Sequence, residues 1–206
     1  MPPTMQVPIP IKMLYEWIES RNLFTDTEEG KRIGFLYPEK ELRASRTDDG
    51  RVGGTTIEFV AANSDYWFGA EHDRLNQRLC VFAQTGGDGS IAAFWLSDSG
   101  EIKIVHIGSS SGSTLTGILT NVSVDFLRLL AIGYDEICWD EEFAEPPLLN
   151  TNFKVMPNVE FQDWVENTFC VDIPKTALEI VKIPSLIDYE EPMDEFEKWY
   201  QKFLDY

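Results

Sequence analysis

Apolar and polar positions follow a strand-like pattern between residues 77 and 107, and this pattern predicts three consecutive β-strands. Residues 77–84 carry apolar side chains at odd and even positions alike, so both faces of this strand are expected to be buried. Residues 91–96 and 102–107 form the next two apolar runs. Short turns containing glycine separate the three runs, and turns this short join antiparallel neighbours.

Apolar side chains at helical spacing predict the helices. Ser123 is suited to the N-cap position of the second of these helices, and Gly133 to the position just beyond its last turn. The predicted helices span residues 11–20, 124–132, 161–169 and 193–203.

The order of these elements predicts a single α+β unit that contains antiparallel strands and ends in an acidic helical portion. A further strand is expected at residues 57–61, and the polar, glycine-containing residues 39–54 are expected to form a surface loop. The chain has 206 residues and shows neither an internal repeat nor a long linker. We therefore expect one domain over residues 1–206, with a core at about 11–137 and an acidic helical portion at about 138–206.

Charge changes the picture because it is both large and uneven. The formal net charge is −18; residues 1–133 carry 12 Lys and Arg against 17 Asp and Glu, and residues 134–206 carry 5 against 18. Such a chain disfavours nucleic acid and anionic membrane surfaces as partners, since both require basic patches. It favours a basic protein partner. The plainer interpretation, that acidic residues only keep the protein soluble, stays open at this point.

No group of residues forms a convincing catalytic, cofactor or metal site. The cysteines Cys80, Cys138 and Cys170 are widely spaced, which suggests reduced and mostly buried thiols. His106 lies on a predicted strand near that of Cys80, so a cysteine nucleophile with a histidine base is conceivable, but a thiol within an apolar strand is usually part of the core. The glycine-rich stretches at 85–89 and 108–113 lack a P-loop signature and are interpreted as connections. The expectation is that the protein is not an enzyme.

The N-terminus lacks the basic and apolar regions of a signal peptide, and no apolar run is long enough to cross a membrane. The expected location is the cytoplasm.

Residues 82–133 resemble the SMI1/KNR4 superfamily, also called SUKH. The resemblance rests on an apolar strand leading into the glycine-rich turn that ends at Gly89, and on a returning strand that ends in Phe94-Trp95. It continues with the segment 104–108, which leads into a Gly/Ser loop, and with the helical segment 123–131. The strong part covers about a quarter of the chain, and a looser likeness extends over residues 11–137.

The resemblance implies a twisted, mainly antiparallel sheet with helices packed around it. Bacterial members of the superfamily are typically immunity proteins of polymorphic toxin systems, so the chain is expected to bind and neutralise a cognate basic toxin, such as a nuclease. Large rings near turns and the acidic residues after Gly133 are the expected partner-binding residues, although rings in strands are usually core. These candidates are Tyr66, Trp67, Asp135, Glu136, Trp139, Asp140, Glu141 and Glu142.

Two other functions remain open. The first is a regulatory or scaffold module of the SMI1/KNR4 type, without a toxin partner. The second is a small hydrolase, which would require Cys80 beside His106 or a cleft lined by carboxylates with shifted pKa values.

Overall fold

The computed structural model describes residues 5–40, 51–52, 55–60, 73–109, 111–147, 155–182 and 194–203. The candidate residues Tyr66 and Trp67, and most of the predicted loop at 39–54, lie outside these described residues.

A seven-stranded antiparallel sheet forms the centre of the fold, in the order β1-β2-β4-β5-β6-β7-β8. The strands are β1 (Phe24–Asp26), β2 (Arg32–Gly34), β3 (Arg51–Val52), β4 (Glu58–Val60), β5 (Leu79–Gln84), β6 (Ile91–Leu96), β7 (Ile102–Ile107), β8 (Thr116–Thr120) and β9 (Val155–Met156). Strands β3 and β9 form a separate parallel pair.

The helices surround this sheet, which makes the protein an α+β fold, as the sequence predicted. They are α1 (Ile9–Ser20), α2 (Asp73–Asn76), α3 (Ser123–Ile132), α4 (Val159–Phe169) and α5 (Glu195–Tyr200). Short 3₁₀ turns occur at Asp140–Glu142, Ala177–Glu179 and Gln201–Phe203. No described helix is both long and apolar enough to cross a membrane.

The three strands predicted from residues 77–107 are confirmed, and β6 and β7 have the predicted bounds. Strand β8 was not predicted. Its sequence, TGILT, contains a glycine and two polar threonines, which obscure the strand pattern. Residues 116–120 form a strand because they pair with β7. In this pairing Ile118 lies opposite Val105, and Thr116 lies opposite Ile107.

Of the two residues predicted to begin and end α3, one is confirmed and one is wrong. Gly133 adopts φ 94° just beyond the helix, as predicted for a residue that ends it in the left-handed region. A Cβ at Gly133 would also lie 3.0 Å from Cα of Pro157, so glycine is required for space as well. The N-cap prediction is wrong by one residue, because Ser123 is the first helical residue and Val122 occupies the cap without a side-chain hydrogen bond.

Both faces of the central strands are buried, as predicted for residues 77–84. On one face, the even-numbered residues of β5 and β6, such as Phe82 and Phe94, join the main core with α1 and α3. On the other face, the odd-numbered residues, such as Val81 and Trp95, form a second cluster with α5. The main core also takes side chains from the C-terminal portion, including Phe161 of α4.

Candidate partner-binding site

Three segments meet at one end of the sheet. They are the β5–β6 turn at residues 85–90, the loop at residues 108–115 between β7 and β8, and the segment 134–145 that follows α3. Turns after alternate strands of an antiparallel meander lie at the same end of the sheet, which brings the first two together. The third is attached by a 2.6 Å hydrogen bond from Ser113 Oγ to the carbonyl of Cys138.

Asp88 holds the two turns together. Its carboxylate accepts hydrogen bonds from the N–H and the hydroxyl of Ser90 (2.9 and 2.8 Å), the hydroxyl of Ser109 (2.8 Å) and the N–H of Ser113 (2.8 Å). Partial burial opposes ionisation of this carboxyl, but the four hydrogen bonds outweigh it, and the pKa of Asp88 is lowered overall. The carboxylate is therefore a structural anion that fixes the 108–115 loop to the turn. The sequence interpretation of both stretches as simple connections missed this role.

Glu136 attaches the third segment to the turn. Its carboxylate accepts hydrogen bonds from the backbone N–H of Gly87 (2.9 Å) and from Nε1 of Trp139 (2.8 Å). The thiol of Cys138 also lies 3.7 Å from the same carboxylate. Glu136 is therefore engaged internally, and it orients the indole of Trp139.

The buried thiol and imidazole near this end of the sheet are structural. Burial, followed by the negative charges of Glu136 and Asp88, raises the pKa of Cys138, so the thiol stays protonated. His106 is fully buried; Nδ1 donates to the carbonyl of Leu115 (2.7 Å), which leaves Nε2 to accept from the Thr85 hydroxyl (2.7 Å). Burial lowers the pKa of His106 to about 4 and keeps the ring neutral.

The structure does not bring Cys80 and His106 together. Cys80 on β5 is opposite Phe94 of β6, and His106 on β7 is opposite Ala92 of β6, so they are two strands and two residues apart on the sheet. Standard strand dimensions place their Cα atoms roughly 12 Å apart. Both nitrogens of His106 are already engaged, and burial raises the pKa of Cys80.

The surface of the site is formed by residues 139–145, which we call the acidic turn. Trp139, Asp140 and Glu142 are partly exposed, and Glu141 and Glu145 are exposed. The segment contains no lysine or arginine. Burial, and then the neighbouring charge of Glu141, raises the pKa of Asp140.

Two buried aromatic residues, Phe143 and Tyr134, connect the backbone of the acidic turn to the core. Phe143 is fully buried, and its ring lies 5.8 Å from that of Tyr134. The Tyr134 hydroxyl donates to the carbonyl of Glu145 (2.7 Å) and accepts from the N–H of Ala177 (3.0 Å). Leu178 N–H also donates to the Phe143 carbonyl (3.2 Å). The backbone that carries the acidic side chains is thus tied to the main core and to the Ala177–Glu179 turn.

The sequence-predicted residues that the structure describes separate into two groups. One group lies in the acidic turn and is at least partly exposed, and it consists of Trp139, Asp140, Glu141 and Glu142. The other group precedes the turn and is buried. Asp135 and Glu136 are only 9% and 8% exposed, so little of either residue is available for the partner contact predicted for it. Their burial follows from internal bonding: the Asp135 carbonyl accepts from Thr56 N–H (2.7 Å), and Glu136 holds Gly87 and Trp139. Trp95, another ring near a turn, is also buried, at 1% exposure. Glu145, which is exposed, was not predicted.

Two cavities lie elsewhere, and no described cysteine, histidine, serine or threonine lines either of them. One, of about 260 Å³, lies between α1 and strands β1, β2 and β4; its charged lining residues, Glu19 and Arg32, are paired with each other at 2.9 Å. The other, of about 350 Å³, is lined by prolines together with Gln162, Glu166 and Lys175. Within the described part of the chain, no group of three or more His, Cys, Asp or Glu residues is arranged to hold a metal ion.

No family model, no curated protein and no solved structure matches the chain.

Proposed function

We propose that this protein is an immunity protein that binds and neutralises a cognate basic toxin, such as a nuclease, of a polymorphic toxin system. The observation that carries the proposal is the acidic turn: exposed carboxylates directly follow a partly exposed tryptophan on a backbone tied to the core. The SMI1/KNR4-like sequence pattern of residues 82–133 supports the choice of an immunity protein among acidic binding proteins.

The charges of the acidic turn favour a cationic surface as its partner. Asp140, Glu141 and Glu145 have no ion-pair partner among the described residues. Burial, and then repulsion by Glu141, raises the pKa of Asp140, and a lysine or arginine of the partner would favour its ionised form. Such charges accelerate encounter with a basic protein and disfavour acidic ones.

Trp139 supplies an anchor within this charged surface. Its indole is partly exposed, and its N–H is already held by Glu136 at 2.8 Å, so the ring is oriented before a partner arrives. An oriented tryptophan loses little conformational entropy on binding, and its face attracts arginine and lysine side chains. We infer that the ring packs at the centre of the contact, with the carboxylates around it.

Neutralisation would occur by steric occlusion. A toxin that acts on an anionic substrate has a basic active cleft, and an acidic protein seated on that cleft blocks it and repels the substrate. No chemical step by the immunity protein is required. A regulatory or scaffold module of the same fold would use the same surface for a different basic partner.

Coexpression with the product of the adjacent open reading frame tests the proposal. The wild-type protein should restore growth to cells that express this product, and a 1:1 complex should copurify. Failure of both rescue and copurification would count against the immunity function and leave the regulatory alternative.

A matched pair of variants tests whether the acidic turn is the contact. The test variant carries Asp140→Asn, Glu141→Gln and Glu145→Gln. The control variant removes the same number of carboxylates from exposed positions on α1 and the β1–β2 turn, with Glu16→Gln, Glu28→Gln and Glu29→Gln. Rescue should be impaired in the test variant and retained in the control.

A further inference from the structure

The C-terminal segment of residues 194–203 covers the second face of the sheet. It consists of Asp194, helix α5 and the 3₁₀ turn that follows it. Phe196 and Trp199 lie against Trp95 of β6, with ring centroids 5.3 and 5.6 Å away. These contacts belong to the second hydrophobic cluster, which the sheet separates from the main core. Detaching the segment would therefore leave the main core intact.

Asp194 fixes the start of this segment through three backbone hydrogen bonds. Its carboxylate accepts from the N–H of Ile118 on the edge strand β8 (2.6 Å) and from the N–H of Glu197 (2.8 Å). Its carbonyl accepts from the N–H of Lys198 (3.1 Å). Glu195 adds an ion pair with Lys103 of β7. The Ile118 bond joins the segment to the sheet, whereas the bonds from Glu197 and Lys198 lie within the segment and form its first helical turn.

The face of the sheet beneath the docked segment contains buried polar groups without hydrogen-bond partners in the described part of the chain. Nε1 of Trp95 and Nη2 of Arg78 are buried and have no hydrogen-bond partner among the described residues. The Arg78 guanidinium lies 5.6 Å from the Trp95 ring and 5.2 Å from the Trp199 ring, so both unpaired donors lie at this contact. A buried donor without an acceptor opposes the docked state.

Helix α5 also cannot persist alone. It has six residues, and isolated helices shorter than about 12 residues are marginal in water. Its structure therefore depends on docking, and loss of docking should unfold the whole segment.

We propose that residues 194–203 form a latch, which detaches and re-docks as one unit while the seven-stranded sheet stays folded. In the docked state, the latch occupies the apolar face of β5, β6 and β7, as an amphipathic helix occupies a groove. In the detached state, this face, including Val81, Trp95 and Val105, is exposed. The latch is thus the cover of the face of the sheet opposite α1 and α3. This inference does not depend on the proposed toxin-binding function.

Amide hydrogen exchange of the full chain, followed residue by residue, tests the latch. The N–H groups of Ile118, Glu197 and Lys198 should exchange at one common rate, at least about tenfold faster than the N–H groups of Ala93 and Val105 in the central strands. Equal rates for the two sets would overturn the latch. Slow exchange at Ile118 with fast exchange at Glu197 would also overturn it, because the segment would then fray without leaving β8.

Two tryptophan variants sharpen the test. Trp199→Ala should accelerate exchange of the three Asp194-bonded amides by a further tenfold or so, and exchange of the central strands by no more than the same factor, because the latch is undocked in every state that opens those strands. Trp164→Ala, on the opposite face beside Trp17 and Phe161, should accelerate the central strands and leave the latch amides almost unchanged. Acceleration of the central strands by Trp199→Ala with no change in the latch amides would contradict the latch, and so would an acceleration of the latch amides by Trp164→Ala as large as that of the central strands. If a variant fails to fold, the exchange rates of the wild-type protein alone test the latch.

Discussion

Asp88 and Ser113 are joined by a 2.8 Å hydrogen bond from the Ser113 backbone N–H to the Asp88 carboxylate. This bond links the β5–β6 turn to the loop between β7 and β8, and Ser113 in turn holds the carbonyl of Cys138. The end of the sheet beneath the acidic turn is therefore organised around one carboxylate. Substitution of that carboxylate should loosen all three segments together.

Asp88→Asn should lower the free energy of unfolding by roughly 1–2 kcal/mol, because an amide cannot serve four donors and carries donors of its own. Urea unfolding at pH 7 measures the change. Asp163→Asn, at an exposed position on α4, is the matched control and should change stability by less than about 0.5 kcal/mol. Equal effects of the two substitutions would mean that the Asp88 hydrogen bonds are not stabilising.

His106 should make the protein less stable as the pH is lowered from about 6.5 to 4. Its pKa is about 4 in the folded protein against an ordinary 6.5, so the unfolded chain takes up the proton more readily in this range. The linked loss is roughly 2–3 kcal/mol between pH 7 and 4.5. Asp88 contributes little here, because its folded pKa lies below the ordinary value and its stabilisation is lost only at lower pH.

The variant His106→Gln isolates this contribution, since its amide N–H can still donate to the Leu115 carbonyl but does not titrate. The difference in unfolding free energy between pH 7 and 4.5 should shrink by most of that 2–3 kcal/mol. An unchanged pH dependence would show that the ring is not the group that titrates.

Gly86→Ala should destabilise the protein because the turn has no space for a methyl group. A Cβ at this position would lie 2.5 Å from Sγ of Cys138 and 2.8 Å from Oδ1 of Asp88. We expect a loss of roughly 1–3 kcal/mol. Gly87→Ala is the control, since its nearest contact would be at 3.4 Å, and it should cost less.

The double variant Gly86→Ala/Cys138→Ala tests the cause of that loss. Removing the sulfur should relieve part of the clash, so the double variant should be more stable than the sum of the single effects predicts. Strict additivity, measured by urea unfolding, would place the strain elsewhere.

Local pattern was enough to predict the central part of the fold. The apolar runs 91–96 and 102–107 are bounded by turn residues, and both became strands with those bounds. The three-residue strands β1 and β2 were missed, because so short a segment carries no periodicity and depends on its neighbours for pairing.

The candidate site was harder to predict, because composition does not tell which acids are buried. Glu136 and Glu141 lie five residues apart in one acidic stretch, yet the first bonds internally to Gly87 and the second faces solvent. That difference depends on a contact between distant parts of the chain. The role of Asp88 could have been predicted from the sequence. An antiparallel meander places the turn after β5 and the serine-rich loop after β7 at one end of the sheet, where a carboxylate in the turn can accept hydrogen bonds from the loop.

The most direct test of the proposed function is a calorimetric titration of this protein with the product of the adjacent open reading frame, at low and at moderate salt. The account predicts a 1:1 complex whose affinity falls as salt is added. It also predicts a loss of about tenfold in the Asp140→Asn/Glu141→Gln/Glu145→Gln variant, and little change in the Glu16→Gln/Glu28→Gln/Glu29→Gln control. Absence of binding, or equal affinities for the two variants, would contradict it.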